Sequence, residues 1–194
     1  MQATAFFSFD PSSSTYKKMF DFDFDNGTNP SGSLIQGSDG KLYAMTVGYD
    51  PGEESSAPAV IFSFDPSSST YKKNLDFDGT NGAHPRGSLM QASDEKLYGM
   101  TNQGGSNDSG VIFSFNPSSF TYKKTFDFEG TNGAKPSGSL MQASDGKLYG
   151  MTSEGGSNGK GAIFSYDPST STYTKLKDYN GVNGANPGIG SAFY

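Results

Sequence analysis

The segment Ile61-Phe-Ser-Phe-Asp-Pro66 decides the fold, because the chain repeats it three more times. It recurs as Ile112-Phe-Ser-Phe-Asn-Pro117 and Ile163-Phe-Ser-Tyr-Asp-Pro168, and it appears near the start as Phe6-Phe-Ser-Phe-Asp-Pro11. The prolines at 66, 117 and 168 set a period of 51 residues, and the first interval is four residues longer, with the surplus at 47–58. Periods of this size are the signature of repeat architectures, and insertions confined to one loop mark a surface position.

Each unit is predicted to contain four short strands. In the third unit, segments 139–143 and 147–152 flank an Asp-Gly turn, which is a strong hairpin signal between two apolar runs. Segments 161–166 and 172–176 follow after short loops rich in Gly, Ser and Pro. These spacings predict a four-stranded antiparallel meander.

The burial pattern differs among the four strands. The first three are near-continuous apolar runs, as expected for strands that are covered on both faces of the sheet. The fourth carries a lysine pair in the first three units, at 17–18, 72–73 and 123–124, which suits an outer edge. We therefore predict an all-β chain, a β-propeller of about four blades of four antiparallel strands. A β-solenoid or an ordinary sandwich is the alternative.

The phase of the array predicts that one blade is split across the termini and incomplete. We divide the single domain 1–194 into a partial blade 1–31, repeats 32–86, 87–137 and 138–188, and a terminal strand 189–194. Such a chain forms either a four-bladed ring with a three-stranded closing blade or an open arc that pairs with copies of itself. The predicted self-association seam consists of Phe6, Phe7, Phe9, Ala192, Phe193 and Tyr194.

Composition makes several classes of partner improbable. The net charge of −6 repels phosphate backbones, so we expect neither nucleic acid nor an anionic membrane surface as a partner. No apolar stretch approaches the roughly 20 residues of a membrane span, so membrane insertion is not expected. The first five residues do not resemble a signal peptide. The absence of cysteine excludes disulfides, thiolate metal sites and cysteine nucleophiles.

Three sets of side chains are candidate sites. Asp21, Asp23 and Asp25 alternate as in a calcium loop, although the terminal Glu of an EF-hand is missing and the equivalent segments keep only part of the pattern. A repeated glutamine in the first strand is predicted either to satisfy backbone groups near the axis or to bind a small ligand. The members of this set are Gln36, Gln91 and Gln142. A tyrosine of the second strand recurs at Tyr43, Tyr98 and Tyr149 and is expected to pack in the core with its hydroxyl hydrogen-bonded.

The repeated motifs resemble a known family. The run Asp-Gly-Lys-Leu-Tyr-Gly-Met-Thr, the Ile-Phe-Ser-Phe-Asp-Pro strand end, Tyr-Lys-Lys and Gly-Thr-Asn-Gly-Ala-x-Pro-x-Gly-Ser-Leu follow one another in order. In this order they are similar to the GloVer-type tandem repeat. Met100 and Met151 stand where that repeat usually has Thr. The resemblance implies a propeller-like domain of exported or surface-anchored bacterial proteins, and it supplies no catalytic residues.

These observations lead to three functional hypotheses. The first is a non-enzymatic, extracellular or cell-surface module with a structural or interaction role, which self-assembles as an oligomer or filament and needs no cofactor. The second is a carbohydrate- or small-ligand-binding propeller that uses the axial face. A glycan-active hydrolase is third, because His84 is the sole histidine and no spacing indicates a nucleophile with its base.

Overall fold

The computed structural model describes residues 5–48 and 57–188, and this part of the chain contains fourteen β-strands and no helix. The strands form one two-stranded sheet followed by three four-stranded sheets, all antiparallel and each ordered along the chain. The four-stranded antiparallel meander predicted for each complete unit is therefore confirmed.

The strand bounds are as follows. Sheet 1 contains β1 (Ala5–Asp10) and β2 (Thr15–Asp21). Sheet 2 contains β3 (Pro30–Gln36), β4 (Leu42–Thr46), β5 (Val60–Asp65) and β6 (Thr70–Asp76). Sheet 3 contains β7 (Met90–Gln91), β8 (Leu97–Thr101), β9 (Val111–Asn116) and β10 (Thr121–Asp127). Sheet 4 contains β11 (Met141–Gln142), β12 (Leu148–Thr152), β13 (Ala162–Asp167) and β14 (Thr172–Asp178).

The second and third strands of each complete sheet are its most buried elements. In β5 and β9 every residue except the last is buried, because neighbouring sheets cover both faces. The fourth strand is largely exposed or half-buried, as its lysines predict.

The first strand is shorter than predicted in sheets 3 and 4. In sheet 4 it covers two residues instead of 139–143. The residues before it pack on the neighbouring sheet, where Ser88 N donates to Ser139 Oγ at 2.8 Å. Gly87 lies so close to the carbonyl of Gly138 that a Cβ on Gly87 would stand 2.1 Å from that oxygen. These segments thus contact the adjacent sheet where a regular ladder was expected.

Apolar layers between successive sheets form the core. We call the side of a sheet that faces the preceding sheet its front face, and the opposite side its back face. Three clusters of buried side chains fill the junctions 1–2, 2–3 and 3–4. The pairing of the last two strands shifts register at the same place in all four sheets, as a β-bulge does.

Candidate interface at the two end faces

The inner junctions share one arrangement of aromatic rings. At junction 2–3, Phe77 meets Phe113 edge-on with ring centroids 5.5 Å apart, and Phe113 stacks on Tyr122. At junction 3–4, Phe128 and Phe164 repeat the edge contact at 5.4 Å. Such contacts add to the apolar area that these rings bury.

A tyrosine hydroxyl crosses each junction to a backbone carbonyl. Tyr71 donates to the carbonyl of Asn26, and Tyr173 donates to the carbonyl of Asn132, both at 2.5 Å. Tyr122 makes the same contact with the carbonyl of Asn81. Burial raises the pKa of these three tyrosines, so they stay protonated donors.

A lysine two residues after each tyrosine makes a second bond across the junction. Lys73 Nζ donates to the carbonyl of Asp25 at 2.9 Å, and Lys124 and Lys175 reach the carbonyls of Thr80 and Thr131. An aspartate three residues along the same strand holds each ammonium group in place. These ion pairs are Lys73–Asp76, Lys124–Asp127 and Lys175–Asp178.

Two of the three predicted ligand-binding glutamines are engaged between sheets. Gln91 Oε1 accepts a bond from Ser38 N, and Gln142 Oε1 accepts one from Ser93 N. Gln36 donates only to the carbonyl of Gly40 in its own turn. The structure thus brings none of the three together, and their role in ligand binding stays a prediction.

The front face of sheet 1 has no sheet in front of it among the described residues. Phe7 is 57% exposed, Phe9 50% and Tyr16 76%. Phe62 and Phe64, which occupy the positions of Phe7 and Phe9 in sheet 2, are each 1% exposed. The rings of Phe9 and Tyr16 contact each other, with centroids 4.8 Å apart. This face therefore presents a row of uncovered rings.

The back face of sheet 4 carries the equivalents of residues that are buried between sheets 3 and 4. Met151 and Ile163 are half-buried, whereas their equivalents in sheet 3, Met100 and Ile112, are buried. Lys177 is exposed. The turn at 180–184 follows β14 and contains Val182, which is 96% exposed.

The described residues of the predicted seam lie on two different faces of sheet 1. Phe7 and Phe9 lie on the uncovered front face, but Phe6 lies on the back face of sheet 1, where its ring meets Phe64 edge-on at 4.9 Å. Phe6 and Phe7 are consecutive residues of β1, so their side chains point to opposite faces of the sheet. Residues 192–194 of the seam lie outside the described residues.

Sequence reasoning missed the polar members of these faces. Tyr16 and Lys18 occupy the positions of Tyr71 and Lys73, and Asn183 occupies that of Asn26. The repeat itself is the signal that could have found them, because it aligns all three with residues of the inner junctions. The sequence alone does not show that these positions form hydrogen bonds between sheets.

The repeated tyrosine of the second strand behaves as predicted in sheets 2 and 3. Tyr43 and Tyr98 are buried, and their hydroxyls donate to Asp39 and Asp94 at 2.8 and 2.9 Å. Burial alone would raise the pKa of Asp94, but bonds from Lys96 and Tyr98 outweigh it and the pKa is lowered. These groups serve the core and the turn.

Two aspartates of the predicted calcium loop, Asp21 and Asp23, make separate contacts. Asp21 pairs with Lys18 at 2.7 Å, and Asp23 Oδ1 accepts bonds from the backbone of Asp25 and Asn26. Over residues 5–48 and 57–188, no cluster of three or more acidic or histidine side chains is arranged to hold a metal ion. The calcium site stays a prediction.

Three small clefts lie among the residues that the structure describes. A cleft of about 300 Å³ is lined by His84, Asp78 and residues at 47 and 57–59. A groove of about 150 Å³ lies between sheets 3 and 4 near Lys96 and Lys123, and a similar groove near Lys72 is bordered by Phe120.

Within the described ranges, no helix is long and apolar enough to cross a membrane.

Comparison with known proteins agrees with this architecture. Residues 2–192 match the sequence family described as the Gloeobacter/Verrucomicrobia repeat, and no curated protein matches the chain. The fold is similar to that of TolB from Acinetobacter baumannii, with a TM-score of 0.54, 18% identity, and coverage of 89% of this chain and 37% of that one.

Two further structures show the same likeness. The extracellular domain of BT4673 from B. thetaiotaomicron has a TM-score of 0.60 at 13% identity, over 95% of this chain and 21% of that one. A chain of the nidogen/laminin complex has a TM-score of 0.59 at 11% identity, over 92% and 57%. The chain spans less than two thirds of each of these structures. All three are propeller-like, and the predicted propeller fold is confirmed.

Proposed function

Because the chain belongs to the Gloeobacter/Verrucomicrobia repeat family and folds as a propeller, we propose that it is a non-enzymatic interaction module. It acts at the cell surface or outside the cell, and it self-associates through the end faces of its blade array. The family resemblance and the likeness to an extracellular domain support the location.

One observation carries the proposal. The rings of Phe7, Phe9 and Tyr16 are exposed, although the same positions are buried in sheets 2 and 3 or cross a junction to a carbonyl. Burying a Phe side chain stabilises by about 1.5–3 kcal/mol, so an uncovered row of three rings favours association. Uncovered apolar patches of this kind mark interaction surfaces.

The oligomeric state in solution tests the proposal. We expect the mass measured by light scattering or sedimentation to rise with protein concentration, because the end faces meet only between molecules. Tyr16→Ser should shift this rise to higher concentration. A chain that stays monomeric at every concentration would overturn the proposal.

A matched control separates the end face from exposed aromatics in general. Phe120 is 42% exposed, lies away from both end faces, and is replaced by Ser69 and Ser171 at the equivalent positions. Phe120→Ser should therefore leave the concentration dependence unchanged. Equal effects of Phe120→Ser and Tyr16→Ser would point to unspecific association.

The location needs its own measurement. Brief protease treatment of intact cells of the native host should cleave the protein if it is displayed on the surface, while a cytoplasmic marker stays intact. Recovery of the uncut protein together with the marker would contradict this part of the proposal.

A further inference from the structure

We propose that the partner at these end faces is a second copy of the chain, docked head to tail so that the front face of sheet 1 covers the back face of sheet 4 of the next molecule. This inference rests on the proposed self-association and adds its polarity and register. The contact repeats the inner junctions of the chain, with Tyr16 and Lys18 as donors and the turn at 180–184 as acceptor.

The donor side is already in place. Lys18 Nζ lies 2.7 Å from Asp21, as Lys73 does with Asp76 at 2.9 Å, so its ammonium group is held as in the inner junctions. Tyr16 extends from β2 at the position that Tyr71 occupies in β6. In the repeated register, Tyr16 Oη would reach the carbonyl of Asn183, and Lys18 that of Val182.

The acceptor side is built in the same way as its equivalents. Asn183 Oδ1 accepts from Asn180 N at 2.8 Å, and Asn183 Nδ2 donates to the carbonyl of Asp178 at 3.1 Å. The turn that receives Tyr122 has the same two bonds around Asn81, at 2.9 and 3.1 Å. The Asn183 carbonyl is therefore held in the orientation that a crossing tyrosine hydroxyl uses.

The apolar contacts also correspond. Tyr179 stands where Phe77 and Phe128 meet the next sheet edge-on, so it would contact the ring of Phe7. Lys177 stands where Phe126 stacks on Tyr173 with centroids 4.0 Å apart. At the new junction an ammonium group would thus lie over the ring of Tyr16, which is a favourable cation–π arrangement.

The head-to-tail direction of the contact follows from the difference between the two end faces. A front face fits a back face, so the contact is heterologous and can continue into a ring or a filament. A two-fold pair of front faces would oppose two rows of rings without any acceptor turn. If the contact is head to tail, a variant that lacks either face is monomeric. If two front faces pair, a variant that lacks only the back face still associates.

The test uses one variant for each face. Phe7→Asp with Tyr16→Asp removes the front face, and Ile163→Glu with Lys177→Glu removes the back face. We expect each variant alone to be monomeric by sedimentation, and an equimolar mixture to form a dimer and no larger species, because only one intact pair of faces remains.

Three outcomes would overturn the inference while leaving self-association standing. These are a back-face variant that still associates by itself, a front-face variant that does so, and a mixture that stays monomeric while the wild-type chain associates. Monomeric wild-type protein at every concentration would instead remove the proposed function, and this inference with it.

Folding of the variants must be checked because Ile163 is half-buried. The unfolding midpoint of each monomeric variant is compared with that of the wild-type chain at low concentration. Lys177→Glu alone serves as the back-face variant if Ile163→Glu lowers the midpoint. Tyr16→Phe, which removes only the hydroxyl, should weaken association by about fivefold, as expected for one hydrogen bond.

Discussion

The junction between sheets 2 and 3 and the front face of sheet 1 carry the same residue types, yet one is core and the other is surface. Phe113 and Phe115 have no exposed area, whereas Phe7 and Phe9 are half exposed or more. The Tyr122 hydroxyl donates a hydrogen bond to the carbonyl of Asn81 in the turn after sheet 2, whereas the Tyr16 side chain extends into solvent. Whether a side chain of this fold is buried therefore depends on a pair of neighbouring sheets, and the sequence of a single strand does not determine it.

The largest expected difference concerns the rings themselves. Phe113→Ala should lower the free energy of unfolding by about 3–5 kcal/mol, because it leaves a cavity beside Phe77 and Tyr122. Phe7→Ala should change it by no more than about 0.5 kcal/mol in the monomer, because no neighbouring sheet covers the ring. Urea unfolding at low protein concentration measures both values. Equal losses would show that the front face of sheet 1 is covered in solution.

The next effect concerns the close approach of sheets near the axis. Gly87→Ala should destabilise by about 1–3 kcal/mol, because the added methyl would meet the backbone carbonyl of Gly138, which cannot move aside easily. Gly188→Ala is the control beyond sheet 4, since a Cβ there meets nothing within 4 Å. Thermal unfolding of the two variants compares them. A neutral Gly87→Ala would indicate that junction 3–4 is looser than the structure shows.

A smaller effect is expected from the crossing hydroxyls. Tyr173→Phe should cost about 1 kcal/mol, because the carbonyl of Asn132 loses its donor while the ring stays. Tyr16→Phe should cost nothing in the monomer, since its hydroxyl lies at an end face. Chemical unfolding of the two variants measures the difference. A loss in Tyr16→Phe under monomeric conditions would mean that the ring closes within one chain.

The smallest effect should be the same in both regions, because the turn between the third and fourth strands is local. Hydrogen bonds from Ser12 and Ser13 lower the pKa of Asp10 to about 2, and bonds from Ser67 lower that of Asp65. A lowered folded pKa contributes stability above the unfolded value of about 3.9, and that stability is lost as the pH falls through the folded value.

Substitution by asparagine tests this local origin. Asn116 already occupies the position in sheet 3, and its Oδ1 accepts from Ser118 N at 2.9 Å. Asp10→Asn and Asp65→Asn should each lower stability at pH 7 slightly, because a neutral amide replaces the ionised acceptor, and should make stability less sensitive to acid between about pH 4 and 2. Unfolding curves at pH 7 and pH 3 measure this. A larger effect for Asp65→Asn than for Asp10→Asn would show that the turn depends on the neighbouring sheet.

Much of the fold was predictable from particular residues. The recurrence of Phe-Ser-Phe-Asp-Pro set the period, and the Asp-Gly turn located the hairpin of the first two strands. The length of the first strand was overestimated in sheets 3 and 4, because Ser139 bonds to Ser88 of the adjacent sheet instead of extending a ladder. A contact between units does not appear in the pattern of one unit.

The candidate site was predictable in part. Phe7 and Phe9 of the predicted seam lie on an uncovered face, whereas Phe6 packs on Phe64 of sheet 2, because successive side chains of a strand alternate between the two faces of the sheet. Tyr16, Lys18 and Asn183 were not recognised, since the bonds that reveal the role of their equivalents join residues 41 and 44 positions apart along the chain.

The amino-acid sequence by itself determined the repeat, the four-strand unit and the buried runs. Only the tertiary structure decided which faces are covered, which glutamines bond between sheets and which carbonyls receive a tyrosine hydroxyl. The physical reason is that strand patterning follows from local alternation, whereas coverage depends on a neighbouring sheet that comes from the next repeat. The end faces lack that neighbour among the described residues, and identical side chains therefore stay exposed there.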